Sequence, residues 1–188
     1  MNLDPISNTF ISAHPLVINI GCSIAASFTF LFLVLILLKP KIKISPFLTQ
    51  GQSLRAAEGI VHSLKIVNRS VFIGYDVRVE LHELRKIPMP GDTFNSQLIV
   101  IPLVVYSLTT IAGYRPMWWD KGAPHCAKFR TQRDLSTILA DPMSSVRVRV
   151  ISRHGLTGLS NVHTQEYTVQ AQVKAGQFTS GPNFDYIP

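Results

Sequence analysis

Residues 75–81 read YDVRVEL, and this stretch decides the fold of most of the chain. Its apolar and charged residues alternate, which is typical of a β-strand with one buried face and one exposed face. Residues 146–150 (VRVRV) repeat the alternation, and residues 167–173 repeat it with apolar side chains at every second position. Residues 60–67 and 98–108 are two further apolar candidates. The pattern therefore predicts a mainly β domain.

Turn-forming residues separate these predicted strands. They occur at 68–70 (NRS), 88–92 (PMPGD), 141–142 (DP) and 155–158 (GLTG). The single helix-like stretch, residues 131–139, is short. Several short strands with turns between them predict an antiparallel β-sandwich over residues 59–188.

Before the strands stands a long uncharged segment, residues 16–38 (LVINIGCSIAASFTFLFLVLILL). As a helix it would be about 34 Å long, enough for a hydrocarbon core of about 30 Å. Residues 1–15 contain no Lys or Arg, so a cleaved signal peptide is disfavoured. We expect an extracytoplasmic tail over 1–15, a transmembrane helix over 16–38 and a basic interfacial linker over 39–58.

The charges flanking this segment predict its orientation. All 18 Lys and Arg residues follow Leu38, beginning with Lys39, Lys41 and Lys43. The positive-inside rule then places the N-terminus outside and the β-domain in the cytoplasm of a single-pass integral membrane protein. The three lysines are candidate ligands for anionic lipid headgroups. The alternative is that they are ordinary stop-transfer charges.

Small side chains recur along the predicted helix at Gly21, Ala25 and Thr29. Residues four apart share a helix face, and small residues let two membrane helices approach closely. These three residues are therefore the candidate association face of a homo-oligomer.

Residues 98–112 (LIVIPLVVYSLTTIA) form a second uncharged run. The run has 15 residues, contains Pro102 and is rich in β-branched side chains. It is short for a second span, so we expect a buried strand pair or hairpin.

Three pieces of the chain together resemble the cytoplasmic domain of inward-rectifier potassium channels. Residues 62–69 (HSLKIVNR) with 75–84 (YDVRVELHEL) resemble its first hairpin. A late strand of that domain, the loop after it and its closing strand resemble residues 146–150, Gly155 and Tyr167 here. The glycine-containing segment that follows the closing strand resembles residues 173–184 (VKAGQFTSGPNF). The resemblance implies an immunoglobulin-like fold and assembly around an axis. It also implies basic residues at the membrane interface, at the positions of the three lysines.

The chain departs from these channels in the pore. A potassium filter needs two flanking helices and a Gly-Tyr-Gly loop whose carbonyls replace the hydration shell of the ion. Residues 110–115 (TIAGYR) place Ala112 and Arg115 where such a filter needs other residues. No residue of this chain is therefore assigned a role in ion permeation on the basis of the resemblance.

Candidate catalytic groups are few. His125-Cys126 is the only adjacent base and nucleophile, and neighbours on an extended chain point apart. His154 and His163 flank one loop and are positioned to meet across it, but with only Glu166 nearby they make a poor metal set. Two cysteines exclude a disulfide framework and a four-cysteine zinc site. We expect no enzyme activity, no metal and no cofactor.

The overall composition and the distribution of charge restrict the kinds of partner that the chain is expected to bind. The chain is 46% hydrophobic and 15% charged, which argues against disorder, and its net charge is +7. Because Lys and Arg are spread along the chain, we expect no nucleic-acid binding. Trp118 and Trp119 (in PMWWD, 116–120) are candidates for partner contact, the alternative being a loop that plugs the sandwich.

The sequence thus predicts a non-enzymatic membrane protein whose β-sandwich mediates assembly or recognises a partner or lipid. Two alternatives remain. One is a homo-oligomeric ion channel or pore-forming effector gated by the sandwich. The other is an accessory subunit of a larger membrane complex.

Overall fold

The computed structural model describes residues 5–37, 41–52, 59–91, 93–114, 123–155 and 158–188. The chain divides into two units, residues 1–39 and residues 40–188, and we refer to the second as the β-domain.

The first unit contains one helix, α1 (Pro5–Leu37). Within it, Val17–Leu35 has a mean hydropathy of 2.1, and α1 is the one described helix long and apolar enough to cross a membrane. The helix itself also includes residues 5–15, before the predicted span. The apolar run marks only the hydrophobic part of a helix, and Pro15 removes a single backbone hydrogen bond.

The β-domain contains twelve described strands and two short helices. The strands are β1 (Ile42–Ile44), β2 (Leu48–Gln52), β3 (Ile60–Asn68), β4 (Gly74–Met89), β5 (Thr93–Ile101), β6 (Ser107–Ile111), β7 (Cys126–Thr131), β8 (Ser144–His154), β9 (Ser160–Tyr167), β10 (Val173–Ala175), β11 (Gln177–Phe178) and β12 (Tyr186–Ile187). The helices are α2 (Leu135–Ala140) and a 3-10 turn (Gln170–Gln172).

The strands form three sheets. In the first sheet β3 is central, with β7 along one side and β1 and β2 one after the other along the other side, and β10 extends it beyond β2. The second sheet has the order β5-β4-β8-β9, and β6 continues the β5 side of β4. Strands β11 and β12 form a separate pair near the C-terminus.

Alternating side chains of the first two sheets meet in one core. Leu64, Ile66 and Phe129 come from the first sheet, and Val79 and Val148 are among those from the second. Asp134 caps α2 by accepting from the backbone N–H groups of the first turn, and the helix adds three more buried apolar residues. The prediction of a mainly β fold is confirmed.

The strands predicted around residues 60–67, 75–81 and 146–150 are confirmed as β3, β4 and β8. The strand predicted over 167–173 is wrong, because β9 ends at Tyr167 and a 3-10 turn precedes β10. The helix-like stretch 131–139 begins only after Asp134, since Thr131 still belongs to β7.

The linker predicted over 39–58 is wrong for most of its described part. Residues 42–44 and 48–52 form β1 and β2, and Ile42, Ile44 and Leu48 are buried in the core. Their short apolar stretches between prolines and polar residues carry too little periodicity to stand out in the sequence. Strand β2 also pairs with β10 in parallel, so the described sheets are not wholly antiparallel.

The prediction for residues 98–112 is half right. The run forms strands, but β5 and β6 both pair with β4 and not with each other, so there is no hairpin. Nor is the run buried, since Val100 is 71% exposed and Tyr106 is 67% exposed. The absence of charge in a run shows only that its side chains are of low polarity. Whether they are buried depends on which other elements pack against them.

The first hairpin implied by the channel resemblance is also wrong. Strands β3 and β4 lie in different sheets, and the turn at residues 69–73 carries the chain from one sheet to the other.

Candidate functional site

The turn between β3 and β4 presents three consecutive exposed apolar side chains. Val71 is 75% exposed, and Phe72 and Ile73 are each exposed by two fifths or more. We call these three residues the apolar tip. Single exposed apolar residues are common, whereas a contiguous group at a loop apex indicates a contact surface.

A buried asparagine holds the turn in shape. The Asn68 side-chain amide donates to the carbonyl oxygens of Phe72 (2.8 Å) and Ala112 (3.0 Å). Its Oδ1 accepts from the backbone N–H and the hydroxyl of Ser70, at 3.0 and 2.7 Å. Asn68 is fully buried, so these bonds form away from water, and the apolar tip is fixed on a rigid base.

A second segment packs against the same turn. The backbone N–H of Tyr114 donates to the carbonyl of Ser70 (2.7 Å), and the Arg69 guanidinium lies 5.6 Å from the Tyr114 ring centroid. The Tyr114 ring in turn meets the buried His125 ring edge-on, at 5.3 Å. An aromatic ring and a cation thus stand beside the apolar tip.

Two of the three predicted lipid ligands belong to the described residues, and they lie at different places. Lys41 is exposed and its carbonyl accepts from the Arg69 N–H (2.7 Å), so it lies at the base of the apolar tip. Lys43 is exposed on β1, with its ammonium 5.9 Å from the Phe184 ring centroid. Lys39 lies outside the described residues.

The sequence did not single out the apolar tip or Arg69. The signal that was available is the VFI triplet immediately after the NRS turn. Turns are rich in Gly, Pro, Asn, Asp and Ser, and three consecutive apolar residues depart from that composition.

Of the other predicted contact residues, the three on α1 are described and the two tryptophans are not. Gly21, Ala25 and Thr29 lie on α1 and are exposed, and the Thr29 hydroxyl donates to the Ala25 carbonyl within the helix (2.8 Å). Open space surrounds the position of a β-carbon on Gly21. Trp118 and Trp119 lie outside the described residues.

The geometry around Cys126 does not suit a nucleophile. The thiol donates to the carbonyl of Gly181 (3.1 Å), and burial raises its pKa. A reactive cysteine needs the opposite shift, towards the thiolate.

The two histidines predicted to meet across a loop do not do so. His154 is buried with its ring edge-on to Phe72 at 5.0 Å, whereas His163 pairs with Val150 further along the β8–β9 ladder. The described residues contain no cluster of three His, Cys, Asp or Glu side chains arranged to hold a metal ion.

Comparison with known proteins adds little to this geometry. No protein-family model and no curated protein matches the chain. Among solved structures, the chain is similar to the sporulation control protein Spo0M from Bacillus subtilis, with 10% identity and a TM-score of 0.35. The match covers 72% of this chain, and the chain spans about half the length of Spo0M (49%).

Proposed function

We propose that this is a non-enzymatic, single-pass membrane protein whose cytoplasmic β-domain recognises an anionic membrane surface through the apolar tip. The observation that carries the proposal is the rigid turn that presents Val71, Phe72 and Ile73 to solvent beside Lys41 and Arg69. Apolar side chains flanked by cations suit the boundary between headgroups and acyl chains.

The position of the tip along the chain supports the same conclusion. Lys41, at the base of the tip, follows the last residue of α1 by four positions. Four residues of fully extended chain span at most about 14 Å, so Lys41 stays close along the chain to the end of α1.

The expected free energies of membrane binding are large enough to contribute to association. Full burial of one Val, Ile or Phe side chain contributes about 1.5–3 kcal/mol, and partial insertion a fraction of that. Each cation near an anionic leaflet adds about 1 kcal/mol. Three apolar side chains with Lys41 and Arg69 would give weak binding alone, and attachment to a membrane-spanning α1 would remove most of the entropic cost of association.

Two finer features belong to the proposal. The meeting of inward-facing side chains from the first two sheets in one core supports an immunoglobulin-like β-sandwich, the fold implied by the channel resemblance. The absence of Lys and Arg before α1, and their abundance after it, supports a cytoplasmic β-domain.

The test places a spin label on the apolar tip of the full-length protein in lipid nanodiscs. Cys22 and Cys126 are first replaced by Ser, and the label is attached to Val71→Cys. Val100→Cys is the matched control, because Val100 is equally exposed but lies on the edge strand β5.

In nanodiscs containing anionic lipid, the label at position 71 is expected to be accessible to oxygen and protected from a water-soluble relaxation agent. The label at position 100 should show the reverse. Replacing Lys41 and Lys43 by Gln should move the label at 71 towards water. If both labels remain fully accessible from water in anionic nanodiscs, the proposal is wrong.

A further inference from the structure

The second sheet ends on one side in a strand without charge. Strand β5 pairs with β4 along one of its sides, and no described strand pairs with its other side. Its residues 93–101 (TFNSQLIVI) include no charged residue and no proline, and its register with β4 contains no bulge. Native proteins commonly block an open edge with lysine, proline or a bulge, because such an edge can pair with another chain. Strand β5 has none of these.

The other described edge strands of the two large sheets differ from β5. Each of β1, β7, β9 and β10 carries a charged side chain, among them Lys43, Lys128, Glu166 and Lys174 respectively. Strand β6 is uncharged, but the chain on either side of it is bonded to the segment around β7. The N–H of Val104 donates to the Arg130 carbonyl (2.9 Å), and the N–H of Ala112 donates to the Pro124 carbonyl (3.3 Å). The edge of β5 is therefore both uncharged and open.

The backbone of β5 directs alternate N–H and C=O groups towards the open side. The Lys86 N–H on β4 donates to the Met143 carbonyl (2.8 Å), on the side of β8. Its register partner Ser96 therefore directs its own N–H and C=O away from β4. The Ser96 N–H is bonded locally to Oδ1 of Asn95 (2.9 Å). Because the direction alternates along a strand, residues 94, 96, 98 and 100 offer a row of donors and acceptors to a further strand.

The outer face of β5 is apolar as well. Ile101 pairs with Leu81 and both are buried in the core, so the positions that alternate with Ile101 face outward. Three of these positions hold Phe94, Leu98 and Val100, and each of these side chains is more than half exposed. A further strand along β5 would cover part of this apolar surface.

We propose that β5 pairs with β5 of a second copy of this chain, antiparallel and across a two-fold axis at Gln97. A two-fold axis places a strand beside itself, so charges on it would face like charges, and β5 carries none. The register centred on Gln97 pairs every residue from 93 to 101. It also places the outward-directed backbone groups of residues 94, 96, 98 and 100 opposite one another, which forms about eight hydrogen bonds.

The side chains of β5 are complementary to themselves in this register. Phe94 lies opposite Val100 of the second copy, and Ser96 lies opposite Leu98. Aromatic residues opposite β-branched residues are among the stabilising cross-strand pairs. The two copies of the second sheet become one continuous sheet. This edge is argued independently of the apolar tip, because the tip precedes Gly74 at the other end of β4.

The first test is a disulfide cross-link in the full-length protein in mild detergent, with Cys22 and Cys126 replaced by Ser. Opposed residues that do not exchange hydrogen bonds have Cα atoms about 4.5 Å apart, within the range of a disulfide. Gln97→Cys is therefore expected to give a disulfide-linked dimer under mild oxidation. Asn95→Cys is the matched control, since Asn95 is also exposed on β5. Its two copies would lie about 14 Å apart and should not cross-link.

The second test removes a hydrogen bond of the interface and leaves the β4–β5 ladder intact. Ser96→Pro lacks only an N–H that points to the open side, and edge strands tolerate proline in that orientation. Sedimentation of the full-length protein should show a dimer for the unchanged chain and for Ser96→Ala. Dimerisation of Ser96→Pro should be at least ten-fold weaker. Thermal melting confirms that both variants are folded.

The third test exchanges charge at the axis. Gln97→Lys and Gln97→Glu should each weaken dimerisation at least ten-fold, because each places two like charges opposite one another. A mixture of the two proteins should associate again, since Lys then faces Glu. Thr164→Lys, at an exposed position on the edge strand β9, should not change dimerisation.

Four results would overturn the proposal. The first is a monomeric unchanged protein at the highest concentration at which it is soluble. The second is equal cross-linking of the Gln97→Cys and Asn95→Cys proteins, which would indicate random collision. The third is a dimer that folded Ser96→Pro retains, which would assign association to another surface, such as the small-residue face of α1. The fourth is failure of the mixed Lys and Glu proteins to associate.

Discussion

The carbonyl oxygen of Val71 packs directly against Gly113, so closely that a β-carbon built on Gly113 would lie 2.0 Å from that oxygen. The contact joins the turn after β3 to the segment after β6, and it fixes the height at which the apolar tip stands above the domain. The neighbouring atom belongs to the backbone, so it cannot rotate away as a side chain would.

The first prediction is that Gly113→Ala destabilises the β-domain strongly, because the turn must move to admit the methyl group. We expect a loss of about 3 kcal/mol in the free energy of unfolding, or about 10 °C in Tm. Thermal melting followed by circular dichroism in the β-sheet region measures it.

The matched control is Gly74→Ala. A β-carbon there would lie 3.0 Å from the Cγ2 methyl of Ile111, a side-chain atom that needs to move by only a few tenths of an ångström. Its cost should be clearly smaller. Equal costs for the two variants would show that the Val71–Gly113 contact has no special role.

The second prediction concerns the buried Asn68 amide. Asn68→Ala leaves the carbonyls of Phe72 and Ala112 and the N–H of Ser70 without this partner. We expect a loss of about 2–4 kcal/mol, since unsatisfied buried polar groups are costly. Asn95→Ala, at an exposed position on β5, is the control and should change stability by less than about 0.5 kcal/mol. Chemical denaturation of both variants distinguishes them, and similar midpoints would contradict the role of Asn68.

The third prediction is a pH dependence from His62, whose ring is buried with Nε2 3.2 Å from the Ser136 hydroxyl. Burial lowers the pKa of His62, and the nearby Asp134 only partly opposes this shift. The unfolded chain therefore takes up a proton below about pH 6.5 that the folded domain resists. Stability contributed by the neutral ring is present above that pH and declines as the pH falls through it.

Denaturation midpoints measured from pH 7.5 to 5.5 test this expectation. His62→Gln should flatten the decline. Asp134→Asn removes the carboxylate that favours the charged ring and should steepen it, although this variant is less stable throughout because it loses its helix cap charge. If stability declines equally steeply with falling pH in His62→Gln, another titrating group causes the pH dependence.

The fourth prediction concerns Tyr167, which is fully buried and donates its hydroxyl proton to the Ser45 carbonyl at 2.6 Å. Burial raises the pKa of this phenol well above its usual value, so it stays a donor. Tyr167→Phe should cost about 1–2 kcal/mol, because the Ser45 carbonyl between β1 and β2 loses this partner. Tyr106→Phe, at an exposed position, should be neutral. A Tyr167→Phe variant as stable as the unchanged protein would show that this hydrogen bond does not stabilise the domain.

Strand periodicity predicted the long central strands because β8, and β4 over residues 77–83, bury every second side chain. In β8 the valines at 146, 148 and 150 are fully buried, and the arginines between them face outward. The same rule failed for β1 and β2, which are too short to show a period. It also failed at 167–173, where the alternation continues although the backbone turns.

The candidate site was less predictable than the fold, for a physical reason. Asn68 ends strand β3, and nothing local shows that its amide binds the carbonyl of Ala112, 44 residues later in the chain. The three lysines after the helix stand out in the sequence because they lie within five residues. Arg69 and Lys41, which the fold brings together, do not.

The parallel pairing of β2 with β10 has a consequence for the order in which the domain forms. Leu48 pairs with Val173, so this side of β2 has no partner until nearly the whole domain has been synthesised. Contacts so distant in sequence form slowly and late. A nascent chain with β2 and β3 already outside the ribosome therefore carries an open strand edge with which a neighbouring chain can pair.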